Sequence, residues 1–189
     1  MNLPNLLTIF RLILAGFFVL ALSTSWPCSH TVALALFLIA TATDYLDGVI
    51  ARKYNLITDF GKLMDPLADK ILTASAFICL ITFGYIPAWA VIIIISREFL
   101  ITGLRLLASS KGIILPAEKL GKHKTAWQMI TIIYFLLLLA SVEWSIKIPL
   151  LTAPTAQIVG DLLIAITVAL TVYSGAAYFW KNRRLIAAS

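Results

Sequence analysis

The sequence predicts an all-α, polytopic membrane protein: six transmembrane helices forming one integral membrane domain over residues 1–189. Three observations predict it. Hydrophobic residues make up 61% of the chain and charged residues 13%, with a mean hydropathy of +0.96. Soluble domains carry about 25% charged residues, and a chain of this length has too little interior to hide so much apolar surface from water. The apolar residues also fall into six runs separated by brief connectors, and Lys and Arg crowd into alternate connectors.

The first run, Leu6 to Leu22, follows "LPNLLTIFR", which reads as a polar-marked helix start. Asn5 is the expected N-cap, with Thr8 three residues later on the same face. No Lys or Arg precedes Arg11, so the run reads as a span rather than a cleaved leader. The second extends from Thr31 to Ile50. The third, Leu67 to Phe83, is the shortest and has to start within an aspartate-rich stretch. Pro66 disfavours α geometry at Asp65 and so marks the expected helix start. The fourth, Ile86 to Leu107, is interrupted by Arg97 and Glu98. The fifth covers Thr125 to Val142 and the sixth Ala156 to Trp180. Most of these runs approach the ~20 residues a spanning helix needs. Trp26, Trp89, Trp144 and Trp180 lie near run ends, where aromatic belts are expected. Cys28 and Cys79 fit no metal-site spacing and read as small apolar side chains. Asp161, near one end of the sixth run, reads as a cap or helix contact.

The net charge of +6 would suggest nucleic acid in a soluble protein. Here it reports topology and anionic headgroups, with no nucleic-acid partner. Arg52, Lys53 and Lys62 follow the second run, Lys111, Lys119, Lys122 and Lys124 follow the fourth, and Lys181, Arg183 and Arg184 end the chain. The opposite loops contain only Lys147. Both termini are therefore expected in the cytoplasm, at the inner (cytoplasmic) membrane, with the aspartate stretch at the cytoplasmic face.

That stretch, "DYLDGVIARKYNLITDFGKLMDPLADK", holds five of the nine acidic residues. At 100° per residue Asp44, Asp47, Gly48, Ala51 and Arg52 share a helix flank of about 140°. Asp65 and Asp69, four apart, share a face of the next helix. Four facing carboxylates need protonation or cations between them. Oxygen-only ligands select hard ions, Mg²⁺ first and Mn²⁺ next. Two such ions a few ångströms apart are a standard device for polarising a phosphoryl group. Gly48 would let a bulky phosphate approach, and Arg52 could clamp one bidentately. Helix capping or surface pairing would explain one or two such aspartates. A divalent-cation transporter is the rival functional class, although its carboxylates would normally lie near the bilayer midplane.

The spacing D-x-x-D-G-x-x-A-R, eight residues, G, three residues, D, three residues, D is met by Asp44, Asp47, Gly48, Ala51, Arg52, Gly61, Asp65 and Asp69. In this the chain resembles the CDP-alcohol phosphotransferase family, whose six-helix membrane fold agrees with the run count. The resemblance implies that an alcohol attacks the lipid-side phosphate of CDP-diacylglycerol and CMP leaves. It implies that Asp44, Asp47 and Asp65 ligate two metal ions, and that Asp69 is the general base and also touches the second ion. Gly48, Arg52 and Thr58, with Asn5 to Thr8, would contact the CDP part. A homodimer is also implied.

The acceptor is read from "SREFLITGLRLLASSKG" and "EKLGKHKTAWQM". Charges within an apolar helix are costly enough to point to function. Glu98 and Arg105, seven apart, face the same way, and Lys122 and Lys124 enter from the same side. A cavity holding Arg97, Arg105, Lys122 and Lys124 suits an alcohol that carries phosphate. These segments resemble the branch of the family that uses glycerol 3-phosphate, with one departure: Leu106 stands where an acidic residue would be expected. An inositol phosphate or phosphatidylglycerol acceptor is the alternative within the family. His123 reads as a surface residue.

Overall fold

The computed structural model describes residues 3–54, 59–110, 119–144 and 154–187. They form six helices: α1 (Leu3–Ser23), α2 (Ser29–Tyr54), α3 (Asp59–Thr82), α4 (Ala88–Ser110), α5 (Lys119–Trp144) and α6 (Thr155–Ala187). Each apolar run maps onto one helix. The largest differences lie on the Lys- and Arg-rich side, where α2, α3, α5 and α6 continue past the apolar residues into charged sequence. Hydropathy marks where lipid contact ends, whereas a helix goes on while its backbone bonds are satisfied internally.

Two expected starts move. The first helix begins at Leu3, so Asn5 lies in its first turn instead of capping it. Pro4 suits that position, because the first-turn N–H groups have no helical partner. The third helix begins at Asp59 and runs through Pro66. Proline there removes one backbone bond, and the seven helical residues before it absorb that loss without ending the helix.

Among the described residues, Leu6–Ser23, His123–Trp144 and Thr155–Arg183 are long and apolar enough to cross a membrane, and Ser29–Asp44 is a shorter apolar helix segment. The chain is a multi-pass membrane protein. The fourth helix misses that measure because Arg97, Glu98 and Arg105 interrupt its apolar length.

The first helix packs on α2 and α3, α2 on α5, α5 on α6, and α4 on α6 and α3. Their shared core includes Phe18, Phe37, Phe77, Leu80, Ile132 and Leu136. Ala33, Ala40, Ala76, Ala90 and Ala140 have no exposed surface. Small residues matter here because apolar burial supplies little drive between helices in lipid, and close backbone approach replaces it. Large apolar side chains such as Phe17, Ile92 and Leu162 cover the outside. All four tryptophans near helix ends are exposed, as an interfacial belt requires.

One polar contact joins two distant helix ends. Glu143, near the end of α5, accepts backbone N–H bonds from His30 and Thr31 at 2.9 Å each. It also accepts the Thr31 hydroxyl at 2.6 Å, and His30 Nδ1 lies 3.1 Å away. These amides belong to the first turn of α2, where donors lack helical partners and the dipole favours an anion. Glu143→Gln is expected to lower the unfolding free energy by about 1–2 kcal/mol. The check is the denaturation midpoint in detergent, with activity per folded molecule unchanged, since the contact lies at the far end of α2 from Asp44.

Candidate active site

The site starts on α1. Thr8 and Arg11, three residues apart on one face, are buried at 0% and 1% exposure. Arg11 Nη1 lies 2.6 Å from Asp44 Oδ1 on α2, and the Asp44 side chain remains 46% exposed. The arginine thus fixes one carboxylate oxygen while the group stays accessible. Sequence reasoning missed this role. A lone cation inside an apolar run was the available signal.

Beyond Asp44, α2 carries Asp47, Gly48 and Arg52, and α3 carries Asp65 and Asp69. The side chains of Asn5, Asp47, Arg52, Asp65 and Lys122, like the whole of Thr58, lie outside the described residues. Asp69 is partly buried. Its carboxylate is close enough to feel the charges of Asp44, Lys70, Arg11 and Glu98, so groups on α1 to α4 converge on it.

Asp69 also lines a cavity of about 460 Å³ together with Lys70, Arg97, Glu98, Arg105 and Lys124. Three of the four expected acceptor residues therefore share one cavity with the expected base. Glu98 is the hub of the cations around it. It hydrogen-bonds Lys124, lies 3.5 Å from Lys70 and 3.4 Å from Arg97. Lys124 is only 2% exposed and is already paired with this carboxylate. Lys70, adjacent to Asp69, was not anticipated. Arg97 also donates to Ser174 Oγ on α6 at 3.1 Å.

The remaining expectations sort themselves by exposure. Leu106 is 49% exposed, while its neighbour Arg105 lines the cavity. His123 is exposed as expected. Asp161 lies in a separate recess with Tyr85, Phe135 and Gln157, away from the aspartates.

Among the described residues no group of three or more His, Cys, Asp or Glu gathers. The described carboxylates on the aspartate helices are nevertheless of the right kind. Asp44 is anchored through one oxygen yet accessible, and it stands within electrostatic reach of Asp69. Oxygen donors without nearby His or Cys fit a hard divalent ion.

Comparison with known proteins gives a consistent result. Residues 1–173 match the model of the family described as CDP-alcohol phosphatidyltransferase. The CDP-diacylglycerol--glycerol-3-phosphate 3-phosphatidyltransferase of Bacillus subtilis (strain 168) is 42% identical, covering 96% of this chain and 95% of that protein. The protein of the same name from Rickettsia bellii (strain RML369-C) is 35% identical over 94% of this chain and 93% of its own length.

Proposed function

Because the chain belongs to the CDP-alcohol phosphatidyltransferase family, we propose that it transfers the phosphatidyl group of CDP-diacylglycerol to glycerol 3-phosphate, giving phosphatidylglycerophosphate and CMP. The observation that carries this reading is the shared cavity. Asp69 opens onto the same space as Arg97, Arg105 and Lys124, so a phosphate-bearing alcohol held by the cations has its hydroxyl near a carboxylate.

In this reading Asp69 takes the proton of the acceptor hydroxyl. The freed oxygen attacks the phosphorus next to the diacylglycerol, and the bond to the CMP oxygen breaks. Asn5, Thr8, Gly48, Arg52 and Thr58 hold the nucleotide side. Lys122 joins the cations at the acceptor phosphate. Asp44, Asp47, Asp65 and Asp69 would hold two Mg²⁺ or Mn²⁺ ions, which when bound offset the charge that builds on the phosphoryl oxygens. Arg11 holds one oxygen of the Asp44 carboxylate and leaves the group accessible. Phosphoryl transfer asks a protein mainly for positioning and charge neutralisation, and these residues supply both.

Residues 1–189 act as one catalytic domain whose six helices all cross the inner membrane. The distribution of Lys and Arg puts both termini and the site in the cytoplasm. The working form is a homodimer.

The test is CMP release from CDP-diacylglycerol by purified protein, offered glycerol 3-phosphate, inositol phosphate or phosphatidylglycerol. Release is expected only with glycerol 3-phosphate, lost in EDTA and restored by Mg²⁺ or Mn²⁺. Release with another acceptor would retain the aspartate chemistry and overturn the acceptor. No release from folded protein would favour a divalent-cation transporter, which needs no cytidine nucleotide.

A further inference from the structure

The sixth helix touches the cavity through the back of Arg97. Arg97 has five N–H donors, but its described partners are only Glu98 Oε1, at a long 3.4 Å, and Ser174 Oγ at 3.1 Å. Its Nε is buried and without a hydrogen-bond partner among the described residues. Nε lies on the α6 side beside Gly175, whereas Nη1 and Nη2 each make one of those two bonds and keep a further N–H for an anion in the cavity.

Two adjacent residues of α6 decide where that guanidinium sits. Ser174 is 2% exposed, and its hydroxyl donates to Thr171 O at 3.2 Å, which turns its lone pairs toward Arg97. Thr171 in turn donates to Thr167 O at 2.7 Å, and the Thr167 hydroxyl is 2.8 Å from that of Thr131 on α5. Ser174 is thus tied to the backbone of its own helix, one of three buried hydroxyls on this face of α6. At Gly175 a Cβ would come within 3.0 Å of Arg97 Cγ and 3.7 Å of Nε. A Cβ there would press on the arginine stem, which would have to shift by a few tenths of an ångström to make room.

We propose that the Ser174–Gly175 step of α6 is a positioning element for Arg97, setting the guanidinium against the cavity wall where it meets the phosphate of the acceptor. The step lies past the residues that the family model matches, 1–173. This inference rests on the acceptor-site reading above.

The test measures KM separately for glycerol 3-phosphate and CDP-diacylglycerol. Arg97→Gln comes first and is expected to raise the glycerol 3-phosphate KM. Ser174→Ala and Gly175→Ala are each expected to raise that KM roughly tenfold, the scale of one weakened charged hydrogen bond. The KM for CDP-diacylglycerol and the denaturation midpoint should stay put, and Ser174→Thr, which keeps the hydroxyl, should remain near the parent. Within Arg97→Gln, neither α6 change should add anything. An effect of Arg97→Gln with none from the α6 variants overturns the positioning role and leaves the acceptor site standing. Equal losses for both substrates with a lower midpoint would make the step a packing feature, which also overturns it. No effect of Arg97→Gln removes the acceptor-site reading and this inference with it.

Discussion

Asp69→Asn is expected to slow CMP release by roughly 10²–10⁴-fold, the usual contribution of a positioned general base, while CDP-diacylglycerol still binds. Asp69 is the described carboxylate common to both halves of the site. It is in electrostatic reach of Asp44 and Arg11 on one side and lines the cation-rich cavity on the other. Asn keeps the shape and most hydrogen-bonding capacity but cannot take a proton, so chemistry fails before structure does. Asp161→Asn is the matched control. That residue is exposed in a separate recess, and its loss should leave turnover unchanged. The comparison needs steady-state CMP release with glycerol 3-phosphate and equilibrium binding of the lipid nucleotide. Full turnover in Asp69→Asn would sink the assignment of the base.

The expectation of a carboxylate site came from spacing, and of its four aspartates the described side chains are Asp44 and Asp69. Asp44 and Asp47, then Asp65 and Asp69, are separated by helical intervals, and a helix converts interval into face. The cations of α4 were legible for a different reason: Arg97 and Arg105 stand out against an apolar background, where charge is costly. What stayed hidden is pairing across helices. Nothing in the local sequence joins Arg11 to Asp44, 33 positions away, or Glu143 to the start of α2, 112 positions away. Lys124 is a third case. As a sequence feature it is one more cation at the cavity; in the fold it lines that cavity while paired with Glu98. Pro66 failed in the other direction. A local rule started the helix there, and the fold begins α3 seven residues earlier, at Asp59, and carries it through the proline.

That hub at Glu98 underlies the second large expectation. Glu98→Gln should destabilise the protein by about 3–5 kcal/mol, the scale seen when one partner of a buried ion pair is removed. Lys70, Arg97 and Lys124 surround the carboxylate, with exposures of 17%, 14% and 2%, and Glu98 itself is 17% exposed. Without its charge, three largely buried cations repel one another with no counter-charge between them. Lys124→Met should also destabilise, because it removes the best-buried partner. The double change Glu98→Gln/Lys124→Met should cost clearly less than the sum of the two, since buried charges removed together leave no orphan. Denaturation midpoints in detergent measure all three. An unchanged midpoint in Glu98→Gln would show that the cations are solvated well enough to need no counter-charge. Glycerol 3-phosphate adds a sharper discrimination. A ligand stabilises the state it binds, and its dianion would restore some of the charge that the variant lacks. Added acceptor should therefore raise the midpoint of Glu98→Gln more than that of the parent. If it raises both equally, the phosphate binds away from this hub, and Arg105 rather than Arg97 or Lys124 is its principal partner.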